Sequence, residues 1–247
     1  MNKHLSRFPA LFLLLLSCLA IALFGCQAPP GEEFALPEEP APPPQPGDGF
    51  IGTLFYPDEQ WRFLVPVQRE IAETETLIRR SLEELAGTPR VRKELAGLGL
   101  VPLLPEGTAV EGINIGEGGL ARIDFNRSFL EYDPAAERLV LGGLFCTLCQ
   151  FPEIERLEIA IEGKVPEKFP GDTPGCLPLG PECLVNLEVD DALEDYHNYT
   201  AVTVYFCFPT PQGRILYVPV TRALPPAEDS ALAALEELLK GPRSGSG

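Results

Sequence analysis

The chain has 247 residues, with 36 acidic and 19 basic side chains and a formal net charge of −17. No basic patch with interleaved aromatics offsets that charge, which excludes nucleic acid as a partner. An anionic phospholipid surface is repelled for the same reason, leaving a covalent acyl group as the route to a membrane.

The N-terminus reads as a targeting segment rather than as part of a fold. Lys3 and Arg7 precede the apolar run Ala10 to Phe24, which is short for a membrane span. The run ends in Leu23-Phe24-Gly25-Cys26, which resembles the lipobox at which bacterial prolipoproteins are cleaved and lipidated on cysteine. Cys26 is therefore the expected lipidation site, carrying palmitate-type acylation, with residues 1–26 as signal peptide. Phe24 is bulkier than the residue usual at its place. Cys18 competes, but it lies inside the apolar run and would truncate it. An uncleaved anchor helix is the other reading, and both place the chain after residue 26 outside the cytoplasm. Residues 27–48 form a tether: eight of the 21 residues from Gln27 to Gly47 are proline. Such a segment favours extended polyproline II and spans up to about 65 Å.

Past the tether, period and punctuation give the elements in order. Gly52 to Tyr56 and Arg62 to Arg69 read as two strands across a polar turn, Pro57-Asp58-Glu59-Gln60. Glu73 to Ala86 reads as a helix, with Leu77, Ile78, Ser81, Leu82 and Leu85 on one stripe. Gly87-Thr88-Pro89 stops it, and Val91 to Leu98 adds a turn or two. Val110 to Gly116 and Leu120 to Phe125 alternate as a hairpin around Gly118-Gly119. Ala136 to Gln150 is helical in pattern, and Ile154 to Ile161 alternates as a last strand. The order β-β-α-β-β-α-β predicts an α+β two-layer domain over 49–165, with helices on one face of a mixed sheet.

The segment then repeats. Val65 to Arg90 returns without a gap at Val218 to Arg243, with eleven of 26 positions identical. These include Val65-Pro66-Val67-x-Arg69, Leu82-Glu83-Glu84-Leu85 and Pro89-Arg90. Upstream, Leu54-Phe55-Tyr56 matches Val204-Tyr205-Phe206. A spacing near 150 residues is too long for a solenoid and indicates tandem duplication. Strands at 201–208 and 214–222 and a helix at 228–240 match only half of the unit. An incomplete second copy is expected over 200–247, joined by a Cys-containing acidic linker, 166–199. The alignment also predicts that Leu235 and Leu238, like Leu82 and Leu85, face a sheet.

These residues carry a family resemblance. The run Leu54-Phe55-Tyr56, Val65-Pro66-Val67-x-Arg69 and a helix ending before Pro89 resembles the GerMN domain of sporulation and germination lipoproteins. So do Leu104-Pro105-x-Gly107-Thr108, Val110-x-x-Ile113-x-Ile115, Ala121-Arg122-Ile123-Asp124-Phe125 and Ile159-Ala160-Ile161-Glu162-Gly163. Gly87-Thr88-Pro89 departs from the family pattern, to which Lys240-Gly241-Pro242 is closer, and Arg92 to Gly99 reads as an insertion. Family members are not known as enzymes, and their fold resembles the ring-building modules of trans-envelope secretion machines. The resemblance implies a structural part of an envelope complex in sporulation, partnered by other envelope proteins.

Catalytic signals are sparse. Apart from His4 in the targeting segment there is one histidine, His197, in the polar stretch between the copies. No nucleophile elbow, phosphate loop or HExxH occurs, so no enzyme activity and no cofactor is expected. Cys146-x-x-Cys149 and Cys176-x6-Cys183 are open to three readings: disulfides, with Cys176–Cys183 closing a loop, buried thiols, or a four-thiolate zinc site. Cys207, in a strand, reads as core. The run Glu188-x-Asp190-Asp191-x-x-Glu194-Asp195 lacks EF-hand spacing and reads as a solvated linker rather than a calcium site. The alternative to an assembly role is docking on peptidoglycan, for which Trp61, Tyr132 and Tyr56 are the candidate stacking faces.

If Cys26 carries the lipid, metabolic lipid labelling is lost in Cys26→Ala and kept in Cys18→Ala. Labelling that survives Cys26→Ala would overturn the assignment.

Overall fold

A computed structural model describes residues 50–71, 77–181, 185–195 and 197–243. The signal peptide, Cys26, the whole tether, the first turn of the expected Glu73 helix and Cys183 lie outside the described residues.

Strands β1 (Phe50–Pro57) and β2 (Leu64–Ile71) form an antiparallel hairpin in which Tyr56 pairs with Val65 and Leu54 with Val67. Helix α1 (Leu77–Leu85) comes next, burying Ile78, Ser81, Leu82 and Leu85 on the stripe the sequence predicts. Thr88 then has two duties. It ends the turn after α1, and its hydroxyl accepts from Val91 N at 3.3 Å to cap α2 (Pro89–Ala96), with proline at the start.

A second sheet contains β3 (Val110–Ile115), β4 (Leu120–Phe125) and β5 (Arg156–Ile161). β3 and β4 are antiparallel and β4 and β5 parallel, with α3 (Glu137–Leu148) as the crossover. The β3–β4 turn uses two left-handed glycines, Gly118 and Gly119 (φ 74° and 70°). The domain is thus α+β with a mixed sheet, its five strands divided between two sheets.

A two-stranded hairpin has two open edges, and each is closed by a side-chain amide. On β1, Gln150 accepts from Thr53 N at 2.9 Å and donates to Thr53 O at 3.2 Å. Thr147, on α3, accepts from Phe55 N at 3.1 Å. On β2, Asn186 accepts from Leu64 N at 2.7 Å and donates to Leu64 O at 2.8 Å. In each case the amide satisfies backbone groups that would otherwise invite another strand.

The second copy reproduces the first hairpin. β7 (Thr200–Pro209) and β8 (Ile215–Leu224) pair Phe206 with Val218 and Val204 with Val220, the same partners one repeat later. Helix α4 (Ser230–Lys240) packs on β7, capped by Asp229, whose carboxylate accepts from Ala231 N and Leu232 N. The segment before β7 does more than connect. It contributes β6 (Glu188–Val189), parallel to β8, and Asn186, which also donates to Pro219 O at 2.7 Å. One hydrophobic core runs through both copies, including Val204, Val218 and Val220 beside the first copy's side chains. The described residues all belong to one compact unit.

Two sequence expectations need correction. Leu235 and Leu238 are not core: they are 53% and 45% exposed, against 1% and 0% for Leu82 and Leu85. The helix forms where the repeat places it, but α1 packs against α3 and β3, and no counterparts come after α4 among the described residues. Cys207 is likewise exposed, because it falls on the outward face of β7, beside Tyr217 on β8.

Truncating Leu82 or Leu85 to alanine should cost about 2–5 kcal/mol through lost burial and a cavity. The aligned Leu235→Ala should stay within about 0.5 kcal/mol. Denaturant unfolding of the three variants separates the two cases.

Candidate functional site

The most distinctive polar geometry is built twice. In each copy the arginine two residues after Val-Pro-Val points to the same face as those valines, inward, and must find anions there. Arg222 is fully buried. Its Nε donates to Glu188 at 2.8 Å, Nη1 to the Glu237 carboxylate at 3.1 Å and to Glu237 O at 2.7 Å, and Nη2 to Gly241 O at 2.8 Å. A cation at the last carbonyls of a helix also meets the negative end of its dipole. The guanidinium lies 5.4 Å from the Phe206 ring centroid.

Arg69 repeats this in the first copy, 5.4 Å from the Tyr56 ring and bonded to Glu84 at 3.2 Å and Glu94 at 2.7 Å. The Tyr56 hydroxyl donates to Glu84 O at 3.0 Å. Arg90 bridges Glu84 and Glu94, as Arg243 bridges Glu188, Asp190 and Glu237. Three of the five identical polar pairs of the repeat, Arg69/Arg222, Glu84/Glu237 and Arg90/Arg243, therefore form one ion cluster made twice. It staples a helix C-terminus to a strand. The acidic run is correspondingly not all solvated, since Glu188 and Asp190 serve the second cluster.

A groove of about 630 Å³ lies elsewhere, between the β1–β2 turn, the extended segment 101–105 and residues 131–136. The buried Asp58 carboxylate shapes the turn by accepting from Arg62 N at 2.6 Å, Arg62 Nε at 2.9 Å and Phe63 N at 3.3 Å. Trp61 N donates to Asp58 O at 2.9 Å. This holds Trp61 at φ 54°, a left-handed conformation uncommon for a bulky residue. The turn therefore extends to Phe63, past the expected strand start at Arg62. Trp61 and Tyr132 both line the groove. Tyr132 is only 8% exposed, its hydroxyl donating to Glu137 at 3.1 Å, and Tyr56 is buried completely.

Of the cysteine candidates, Cys183 lies outside the described residues. Cys149 and Cys176 are exposed free thiols, and Cys149 donates to the Cys146 carbonyl at 3.4 Å. Among the described residues, no group of three or more His, Cys, Asp or Glu side chains could hold a metal ion. His197 is exposed, its backbone N–H bonded to Asp195. Ser81 donates to Leu77 O within α1. No described helix is long and apolar enough to cross a membrane.

A family model described as Germane, sporulation and spore germination, matches residues 53–167. The chain is 29% identical to the spore germination protein GerM of Bacillus subtilis over 187 residues, which is 75% of its own length. A solved structure of the tandem GerMN domains of Bacillus subtilis GerM aligns with a TM-score of 0.69 at 28% identity, covering 81% of this chain and 70% of that one. These matches support a GerM-like relationship, with the family-model match confined to residues 53–167. It spans half the length of the curated GerM relative. The family model covers only the first copy, whereas the tandem structure extends the likeness of this GerM-like chain into the second. The ion staple is present in both copies of this chain, and the groove lies in the first.

Protonation of the staple has a definite sign. Burial opposes the charge of Glu237, but Lys240 and then Arg222 outweigh it and hold the carboxyl below its ordinary range. Glu94 is lowered chiefly by its hydrogen bond from Arg69, and Asp190 by the Ala192 N–H and then by Arg243. Depressed carboxylates stabilise the fold above their unfolded value, roughly pH 4 for Asp and Glu, and the contribution is lost as pH falls through the folded value. Thermal midpoints should therefore drop in acid. Glu237→Gln should lose about 3 kcal/mol at neutral pH by leaving part of Arg222 unpaired. Its acid slope should also be shallower than that of the native chain.

Proposed function

We propose that this chain is a non-enzymatic assembly module, lipid-anchored through Cys26 on the extracytoplasmic face of a bacterial membrane. It contributes protein–protein interfaces to an envelope complex of sporulation and germination. The observation that carries this reading is the apolar surface of the second copy. Leu232, Leu235, Leu238 and Leu239 on α4 are 45–79% exposed, and Tyr205 and Tyr217 are 58% and 61% exposed. Exposed apolar surface on this scale marks a face that another element, of this chain or of a partner, covers, and the proposal takes it to be a partner. Likeness to sporulation and germination proteins supplies the setting. Docking on peptidoglycan is the weaker reading, because two of its three aromatic candidates, Tyr56 and Tyr132, are buried.

Co-isolation from sporulating cells with the native chain should return one defined set of envelope proteins. The double variant Leu235→Glu/Leu239→Glu should lose that set without loss of fold, since both positions are exposed. Retention on purified peptidoglycan with no protein set would overturn the assembly reading in favour of docking.

A further inference from the structure

The groove beside Trp61 has an unbalanced charge. Arg92, the cation on its rim, is turned to Glu106 at 3.2 Å and to Gly87 O at 3.0 Å. Glu131 and Asp133, on the same rim, are exposed and form no ion pair with a described residue. Asp133 uses one oxygen to accept from Ala135 N at 2.9 Å, leaving its other oxygen uncommitted by that contact. The open charge of the groove is acidic, in a chain whose net charge is −17. Such a field concentrates cations and repels anions.

The walls fit the same ligand. Trp61 is half-buried, and the Asp58 carboxylate fixes the turn that carries it. An indole held in place offers its face to an ammonium or guanidinium group. The wall opposite includes Val101, Pro102, Leu103, Leu104 and Pro105. Pro102 and Pro105 lack an N–H, so this surface is apolar and suits the methylene stems of long basic side chains. The volume, about 630 Å³, lies within the roughly 300–1,000 Å³ of ligand-sized sites. A saccharide is the poorer match: the groove's second aromatic, Tyr132, is 8% exposed and its hydroxyl is committed to Glu137.

We propose that this groove receives an extended basic segment of a partner protein, with a lysine or arginine side chain taken up by the Trp61 indole and the Glu131 and Asp133 carboxylates. The proposal rests on the assembly reading only in taking the ligand to be a protein. It assigns the groove a contact separate from the apolar face of α4.

Trp61 is the chain's single tryptophan, so its fluorescence reports the groove directly. The full chain, in mild detergent, is titrated with a short peptide alternating lysine and valine, with a glutamine-for-lysine peptide and a chito-oligosaccharide as the other arms. The lysine peptide should shift the emission saturably. Its affinity should fall about tenfold or more in Glu131→Gln/Asp133→Asn and on raising salt from about 50 to about 500 mM. Circular dichroism and melting establish that the variant is folded, and asparagine at 133 retains an acceptor for Ala135 N. Absence of a saturable shift, an equal response to the glutamine peptide, or undiminished binding by the variant would overturn the proposal. Saturation by the chito-oligosaccharide instead would overturn it too, and would assign the groove to glycan. Co-isolation through α4 reads a different surface, so either experiment can fail while the other succeeds.

Discussion

Asn186 links the two copies through a single side-chain amide, beside the core they share. A hairpin of two strands is marginal in water unless something covers its faces and edges. The amide of Asn186 supplies a peptide-like donor and acceptor to Leu64 on one side, and its second N–H reaches Pro219 O on the other. The residue adopts φ 49° to do so, a conformation asparagine tolerates better than most. Val185 O accepts from Thr221 N at 3.3 Å, extending the link along β8. Residues between the copies therefore act as an edge for each hairpin, and the core continues through Val204, Val218 and Val220. Duplication produced two similar halves, and the intervening segment made them one unit.

The inward arginine is the second constraint. Placing a guanidinium on a core face is expensive unless every neighbour is chosen for it. Both copies solve this with a helix C-terminus, a glutamate, a second arginine and an aromatic ring. They differ in the source of the remaining anion. The first copy takes Glu94 from α2, while the second takes Glu188 and Asp190 from β6 and the residue after it. Arg69 Nε is buried without a hydrogen-bond partner among the described residues, whereas Arg222 Nε meets Glu188. The extra strand of the second copy thus completes a cluster that the first leaves one bond short.

The copies also divide the surfaces between them. α1 is covered by α3 and β3, so the first copy presents a finished core and a polar groove. Among the described residues α4 has the aligned leucines in the open, an apolar face without a cover. One structural unit accordingly displays two chemically unlike surfaces, one acidic and concave and the other apolar.

Local chemistry made much of this legible in the chain itself. The helical stripe Ile78, Ser81, Leu82, Leu85, the hairpins, the stop at Gly87-Thr88-Pro89 and the duplication are all encoded within short windows, and the structure agrees with them. The pairing of Tyr56 with Val65 and of Phe206 with Val218 was implicit in the repeat. Identity at Arg69, Glu84 and Arg90 signalled a shared role, but not that it was one cluster, because its members are brought together by packing. Tertiary structure alone decided which leucines are buried. Leu85 and Leu238 occupy equivalent places in equivalent helices, and their burial differs because burial depends on the elements packed against a residue. The same reason hid Asn186, Gln150 and the Trp61 groove. Each is a meeting of segments far apart in the chain, and no periodicity or local spacing records what a distant segment will touch.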